Sequence, residues 1–359
     1  MTRCVIVAGA GATRADFPGK SLKNAPPLDR NFFSGLAKSE LRKTRAFREV
    51  LNYLGEVYSL NLLDRQEHSL EHMLSTIYSD IYTGGNRGRA SDVFRHLLHL
   101  LHRRIGQTTN SLNPGKKGKL YRIMRCFFKK GIKPEDITIL TFNYDLRVEK
   151  TLDLLNDPQN GTHILCFPWC YALSKESDVS NPRSGRRFEQ TDMKGGVRVL
   201  KLHGSLNWYS RHVSPYPKPE HFLNPKRKLY ITSRTEFATG MTIKKRWGRT
   251  VHTFPVILPP IGSKSAIIHS EFEPLWLLAQ KSLEKAERVI FFGYSCPITD
   301  MDSSNLVGRA LRKNKNLKCA DVIDPSPETF GRYVNLTNLP RLAFYRNADA
   351  YLQHWEETR

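Results

Sequence analysis

The chain is 359 residues long and carries a formal net charge of +22, enough length for a sizeable core and a charge that attracts polyanions without dictating a fold. No apolar run approaches the roughly 20 residues needed to cross a bilayer, and Val5 to Ala12, followed by Arg14 and Asp16, is too short for a signal peptide. The six cysteines have no disulfide-framework spacing, so the expectation is a cytoplasmic protein without membrane contact.

In chain order, the first element is the β-branched run Val5-Ile6-Val7-Ala8 with Gly9-Ala10-Gly11-Ala12-Thr13 behind it. It reads as a buried parallel strand that turns into a glycine loop able to approach a phosphate. The third glycine of the dinucleotide fingerprint is missing, since Arg14 stands there. Pro26 and Pro27 then fix an extended path into Phe32-Phe33. Residues 36–130 read as a helical insertion. Its stripes are Phe47, Val50, Leu51, Leu54, Val57; Leu70, Met73, Leu74, Ile77, Ile81; and Val93, Leu97, Leu100, Leu101, Ile105. His96, His99 and His102 fall on the third helix and are expected as surface histidines, because no carboxylate completes a metal site.

Ile137 to Phe142 is the next strand, ending in Asn143-Tyr144-Asp145; a polar residue at a strand's carboxyl end faces the crevice where open α/β sheets bind ligands. Cys166 and Cys170 form one close pair with no second to complete a zinc site. Arg198 to Leu202 delivers His203-Gly204-Ser205, residues 209–254 read as a loop-rich basic insertion or lid, and Val256 to Leu258 is strand-like. Arg288 to Phe292, ending in Gly293-Tyr294-Ser295, and Ala320 to Ile323, ending in Asp324, restore the strand-helix alternation. The fold class is therefore α/β: a single Rossmann-like doubly wound parallel sheet spanning 1–359 with a helical and a basic insertion.

Four blocks, Gly9-Ala-Gly11, Thr141-Phe-Asn143-Tyr-Asp145, Lys201-Leu-His203-Gly-Ser-Leu-Asn-Trp208, and Phe292-Gly-Tyr-Ser295 with Pro297, Asp300 and Asp302, together resemble the sirtuin-like domain proteins of bacteria. This is the branch, related to the silent information regulator proteins, found in antiphage defence. The resemblance implies an NAD site and an NAD+ glycohydrolase that releases nicotinamide and ADP-ribose, acting in abortive infection. By it, Asn143 and His203 match the catalytic pair, and Gly9, Ala10 and Gly11 match the pyrophosphate turn, with Thr13 supplying a hydroxyl one position after the usual serine. Gly293 and Ser295 match the loop beside the adenosine half, Asp324 a ribose reader, and Asp29 an acid near the nicotinamide ribose; Asp145 is counted with the NAD-binding residues.

Classical sirtuin deacetylases carry two Cys-x-x-Cys pairs after the catalytic histidine, whereas this chain has only Cys296 and Cys319 there. No zinc is expected, and NAD enters as substrate. Protein deacylation, ADP-ribosylation and non-catalytic NAD or ADP-ribose sensing stay open as alternatives. The resemblance further implies a homo-oligomer and a HerA-type ATPase as companion. The clusters Lys116-Lys117-Gly-Lys119, Arg183-Ser-Gly-Arg186-Arg187 and Lys244-Lys245-Arg246-Trp247-Gly-Arg249 are either a nucleic-acid surface or solvated loops.

Overall fold

A computed structural model describes residues 3–17, 26–62, 68–110, 115–157, 159, 163–172, 195–212, 230–231, 244–246, 249–259, 261, 272–297, 300–337 and 341–357. The basic cluster at Arg183 to Arg187 and most of 209–254 lie outside these residues.

Six strands form one parallel sheet: β1 (Cys4–Ala8), β2 (Ile137–Thr141), β3 (Arg198–Lys201), β8 (Arg288–Phe292), β9 (Cys319–Ile323) and β10 (Leu342–Tyr345). Their spatial order is β10-β9-β8-β1-β2-β3. Numbered within this sheet, that is 3-2-1-4-5-6, the order of dinucleotide-binding sheets, with the direction of winding reversing between β1 and β8. Every residue of β1 is buried, as a strand covered on both faces requires. Ala8 pairs with Phe292 on one side and Thr141 on the other, so the carboxyl ends of the three central strands finish level.

Helices cover both faces. On one, α6 (Lys119–Lys129) packs against α1 (Ala10–Ala15), α7 (Arg147–Asp153) and α11 (Ala348–Glu357). On the other, α8 (Glu273–Glu284), α9 (Met301–Lys313) and α10 (Pro327–Thr337) pack in succession, and Phe291 stacks on Tyr333 of α10 at 4.0 Å. No helix among the described residues is long and apolar enough to cross a membrane.

Between β1 and β2 the chain forms α2 (Phe32–Ala37), α3 (Arg45–Tyr58), α4 (Leu70–Thr83) and α5 (Arg87–Asn110). Thr44 and Ser69 supply the caps, accepting from the Phe47 and His72 amides at 3.3 and 3.1 Å. The stripes bury Phe47, Val50, Leu54, Leu74, Ile77 and Leu97 in a core of their own, joined by Tyr144, Leu206 and Ile257 from the sheet side. Val57, expected on the first stripe, is 49% exposed because it lies in the last turn of α3. His102 differs from its expected surface position: it is buried, its ring nitrogen lies 3.4 Å from the Leu206 carbonyl, and desolvation pushes its pKa down to about 4.

A second, antiparallel sheet runs β5-β4-β7-β6, from β4 (Gly204–His212), β5 (Tyr230–Ile231), β6 (Lys244–Arg246) and β7 (Arg249–Ile257). These strands occupy part of the stretch expected as loop. The Lys and Arg of β6 and the Arg and Pro of β7 hide the alternation by which a half-buried strand is recognised. Gly204 turns the chain from the first sheet into the second at φ +85°, where an added Cβ would stand 2.2 Å from the Val256 carbonyl oxygen.

The tightest packing is at the winding reversal. Gly293 has φ +57°, and a Cβ on it would lie 2.1 Å from the Ala12 nitrogen. Gly293→Ala is expected to cost about 3 kcal/mol or more in urea unfolding, since it combines left-handed strain with a backbone clash. Gly85→Ala, in open space, should stay within about 0.5 kcal/mol of the parent. Equal effects from the two substitutions would contradict this packing.

Candidate functional site

Three glycines bring β1 and β8 together at their carboxyl ends. The Gly9 amide donates to the Phe292 carbonyl at 3.0 Å and the Gly11 amide to the Gly293 carbonyl at 2.9 Å. An added Cβ would stand 2.4 Å from the Gly293 oxygen at Gly9 and 2.8 Å from it at Gly11. Both glycines are thus required by contact within the chain itself. Ala10, the first residue of α1, is exposed beside them.

Asn143 stands just past the end of β2 and is held by three hydrogen bonds. Its backbone amide donates to Thr141 Oγ1 at 3.1 Å, and its Nδ2 donates to the Gly9 carbonyl at 2.8 Å and to Thr13 Oγ1 at 3.2 Å. Thr13 in turn donates its hydroxyl proton to Asp145 Oδ2 at 2.8 Å, so toward Asn143 it acts as acceptor. A carbonyl and a committed hydroxyl both demand the amide's N–H side. The orientation of Asn143 is therefore dictated, and its Oδ1 remains as an acceptor with no partner among the described residues.

Behind this relay lies a buried polar network. Asp145 Oδ1 accepts from the Arg147 amide at 2.9 Å, and the Lys201 ammonium donates to the Asp145 backbone carbonyl. Lys201 and Glu149 are both fully buried and pair at 3.1 Å, and Tyr171 donates to Glu149 Oε1 at 2.8 Å. Arg147 pairs with Asp16 of the loop after α1 at 2.9 Å, a further tie between that loop and the β2 tip. Truncating one partner of such a network leaves a buried charge uncompensated. Sequence reasoning passed over Lys201 as a supporting residue, although one signal was visible: a lysine inside the apolar run Val199-Leu-Lys-Leu202.

His203 follows β3, next to β2 in the sheet, and the Leu202 amide donates to the Thr141 carbonyl at 2.9 Å, which aligns the two tips. The side chain is 6% exposed. Its Nε2 lies 3.4 Å from Ser303 Oγ and 3.7 Å from Asp300 Oδ2, and its ring sits edge-on to Phe142 at 5.1 Å. Phe142 stacks on Tyr294 at 4.4 Å, and the Tyr294 hydroxyl, kept protonated by burial, donates to Asp300 Oδ2 at 3.4 Å. Asp300 also caps α9 through the Ser303 amide at 3.4 Å.

The remaining sequence-derived residues have local partners. Asp29 is exposed, and its Oδ1 accepts from the Glu71 amide in the first turn of α4 at 2.9 Å. Ser295 is exposed and its carbonyl accepts from Arg332 at 2.8 Å. Asp324 follows β9, and its Oδ1 accepts from the Ser326 amide at 3.0 Å. Burial pushes its carboxyl above the usual range, offset in part by Ser326, Thr329 and Arg332. The structure thus joins Thr13, Asn143 and Asp145 in one hydrogen-bond chain and Gly9, Gly11 and Gly293 in one backbone contact. His203 is grouped with Asp300 and Ser303.

No family model matches the sequence, and no curated protein does. Among solved structures, the chain is similar to a Sir2 homologue mutant in complex with ADP-ribose, with TM-score 0.40, 11% identity, and coverage of 99% of this chain and 93% of that one. It is similar also to Sir2Tm bound to a propionylated peptide, at TM-score 0.41, 10% identity and coverage of 99% and 92%. A third, the Sir2–p53 peptide–NAD+ structure, gives 0.39, 10%, 99% and 92%. Likeness this distant says nothing of substrate or reaction, which have to be read from the site.

Thr13→Val removes the hydroxyl that accepts from Asn143 and donates to Asp145. It is expected to destabilise the chain by about 1–3 kcal/mol in urea unfolding, with Thr13→Ser close to the parent. A Thr13→Val chain as stable as the parent would contradict the relay.

Proposed function

We propose that the chain binds NAD+ at the winding reversal between β1 and β8 and hydrolyses the bond between nicotinamide and ribose. The observation that carries this reading is Asn143, whose amide is locked so that only its carbonyl oxygen remains to accept a bond. Crevices of this kind, beyond the carboxyl ends of the strands at a reversal of winding, are where open α/β sheets take dinucleotides. Gly9, Ala10, Gly11, Gly293 and Ser295 would receive the pyrophosphate and adenosine half, and Asp324 the adenosine ribose. Asp29, whose carboxylate is engaged with the start of α4, would approach the nicotinamide ribose through its loop.

The chemistry asks little more of the protein than placement and one proton acceptor. Water attacks C1′ of the nicotinamide ribose as the C–N bond breaks. Nicotinamide leaves with the bonding electron pair, and the water's proton passes to His203. The sugar carries cationic character on the way, as in glycoside hydrolysis. Asn143 Oδ1 would hold a ribose hydroxyl or the water in line, and positioning of this kind supplies a large part of a barrier reduction. The Asp300 carboxylate, 3.7 Å from His203 Nε2, would compensate the charge of the imidazolium that forms.

The sequence resemblance supports extending this to an antiphage effector that stays silent until a partner or its own assembly activates it, with a homo-oligomer and a HerA-type ATPase as the companions it implies. The described basic segment Lys116 to Lys119 would offer a contact for nucleic acid. Deacylation, ADP-ribosylation and sensing without turnover are the competing readings.

Free nicotinamide and free ADP-ribose formed from NAD+ without any acyl-peptide decide among them, measured with the purified chain alone and with its companion; hydrolysis releases the two in equal amounts, whereas ADP-ribosylation releases nicotinamide and leaves the ADP-ribose on protein. Asn143→Ala and His203→Ala are each expected to lower release by about 100-fold or more while the chain remains folded. NAD+ binding with no release under either condition would favour a sensor. Release unchanged in both variants would remove Asn143 and His203 from the chemistry.

A further inference from the structure

The outer face of α6 carries charge that the fold itself does not use. From Val93 to Pro134 the chain holds eleven lysines and arginines and no aspartate or glutamate. The turn Gly115–Lys117 leads into α6, whose Leu120, Ile123, Met124 and Phe127 enter the core of the sheet. Arg122, Arg125 and Lys129, spaced by three and four, are left as its exposed positions. Lys119 and Arg122 are paired with Asp349 of α11. Lys116, Lys117, Arg125 and Lys129 are exposed and have no partner among the described residues.

Placement argues against a structural use for most of these cations. The amino end of a helix bears partial positive charge, so lysines there are unfavourable, and the first turn of α6 has no acidic residue to offset them. Like charges one turn apart, as Arg125 and Lys129 are, also repel. Lys129 suits the carboxyl end of the helix; Lys116, Lys117 and Arg125 serve no such end.

A row of this kind calls for a polyanion. The eleven residues of α6 extend over roughly 16 Å at the ordinary helical rise. Duplex DNA carries one negative charge per about 1.7 Å of its axis, so the length lying along α6 offers roughly nine. The exposed positions of α6 hold no aromatic ring on which the bases of a single strand would stack, and no apolar side chain that would enter a bilayer.

We propose that the outer face of α6, with the turn before it, docks on the phosphate backbone of duplex DNA without regard to base sequence. This extends the contact offered at Lys116 to Lys119 along a whole helix and goes beyond the NAD+ chemistry. Binding is measured without NAD+, so its outcome is independent of nicotinamide release.

Fluorescence anisotropy of a labelled duplex of about 20 base pairs, titrated with the full chain, tests this; binding is expected to weaken about tenfold or more between roughly 50 and 200 mM NaCl. Lys117→Glu/Arg125→Glu/Lys129→Glu is expected to weaken it about 30-fold or more at the lower salt and to flatten the salt dependence. The same charge change at exposed positions on and beyond the helices of the other face, Lys285→Glu/Arg309→Glu/Lys315→Glu, is expected to stay within about fivefold of the parent. Lys116→Glu/Lys117→Glu should also bind more weakly, yet melt no lower than the parent, because it takes like charge from the amino end of the helix. The proposal is overturned if no duplex binds at the lower salt, if the two triple variants lose binding alike, or if the α6 variants bind like the parent. Tighter binding to phosphatidylserine vesicles than to the duplex, or a lowered melting temperature in Lys116→Glu/Lys117→Glu, would overturn it as well.

Discussion

Everything at the carboxyl end of the sheet depends on how closely β1 and β8 approach at Gly9, Gly11 and Gly293. Two backbone hydrogen bonds, from Gly9 to Phe292 and from Gly11 to Gly293, leave no volume for a Cβ on either partner. Because the strands there are parallel, level and buried, this contact fixes where α1 starts. It fixes also the Gly9 carbonyl, which is the first anchor of Asn143.

From that anchor the polar side chains follow one another. Asn143 needs Thr13, Thr13 needs Asp145, and Asp145 is gripped by the Arg147 amide and the buried Lys201. Burial of Lys201 and Glu149 would be unfavourable in isolation, and their pairing with each other and with Tyr171 offsets it. What this arrangement secures is orientation: an amide with one acceptor left over. The aromatic group around His203 draws on Phe142 at the β2 tip and Tyr294 after β8 as well as on Asp300 and Ser303 at α9, so the two tips share part of their support.

Much of the scaffold was legible in the sequence. The strands at Val5, Ile137, Arg198, Arg288 and Ala320 are short, apolar and followed by a polar or glycine tip, and all five lie in the parallel sheet. The helical stripes at Val50 and Leu74 were legible for the same reason, a period that burial enforces. Gly11 was read as a phosphate contact, and its amide is engaged with Gly293; a glycine's spacing cannot tell which neighbour demands it. Of the second sheet only the end of β7, at Val256-Ile257, reads as strand-like, and β10, all of it half-buried at the sheet's edge, carries no strong pattern. His102 read as a surface residue because its partner, Leu206, is distant in sequence. Asp145 and Thr13 are grouped with the ligand by the resemblance, and within the chain they bond to each other, to Asn143 and to the Arg147 amide.

The account's central claim is spatial: one crevice, floored by the glycine contact and flanked by the β2 tip, receives the dinucleotide. Amide hydrogen exchange of the His203→Ala chain with and without NAD+ tests it directly. Slower exchange is expected together in the segments 8–17, 142–147 and 292–297. Unchanged exchange in those three segments at saturating NAD+, or protection confined to other parts of the sheet, would contradict it.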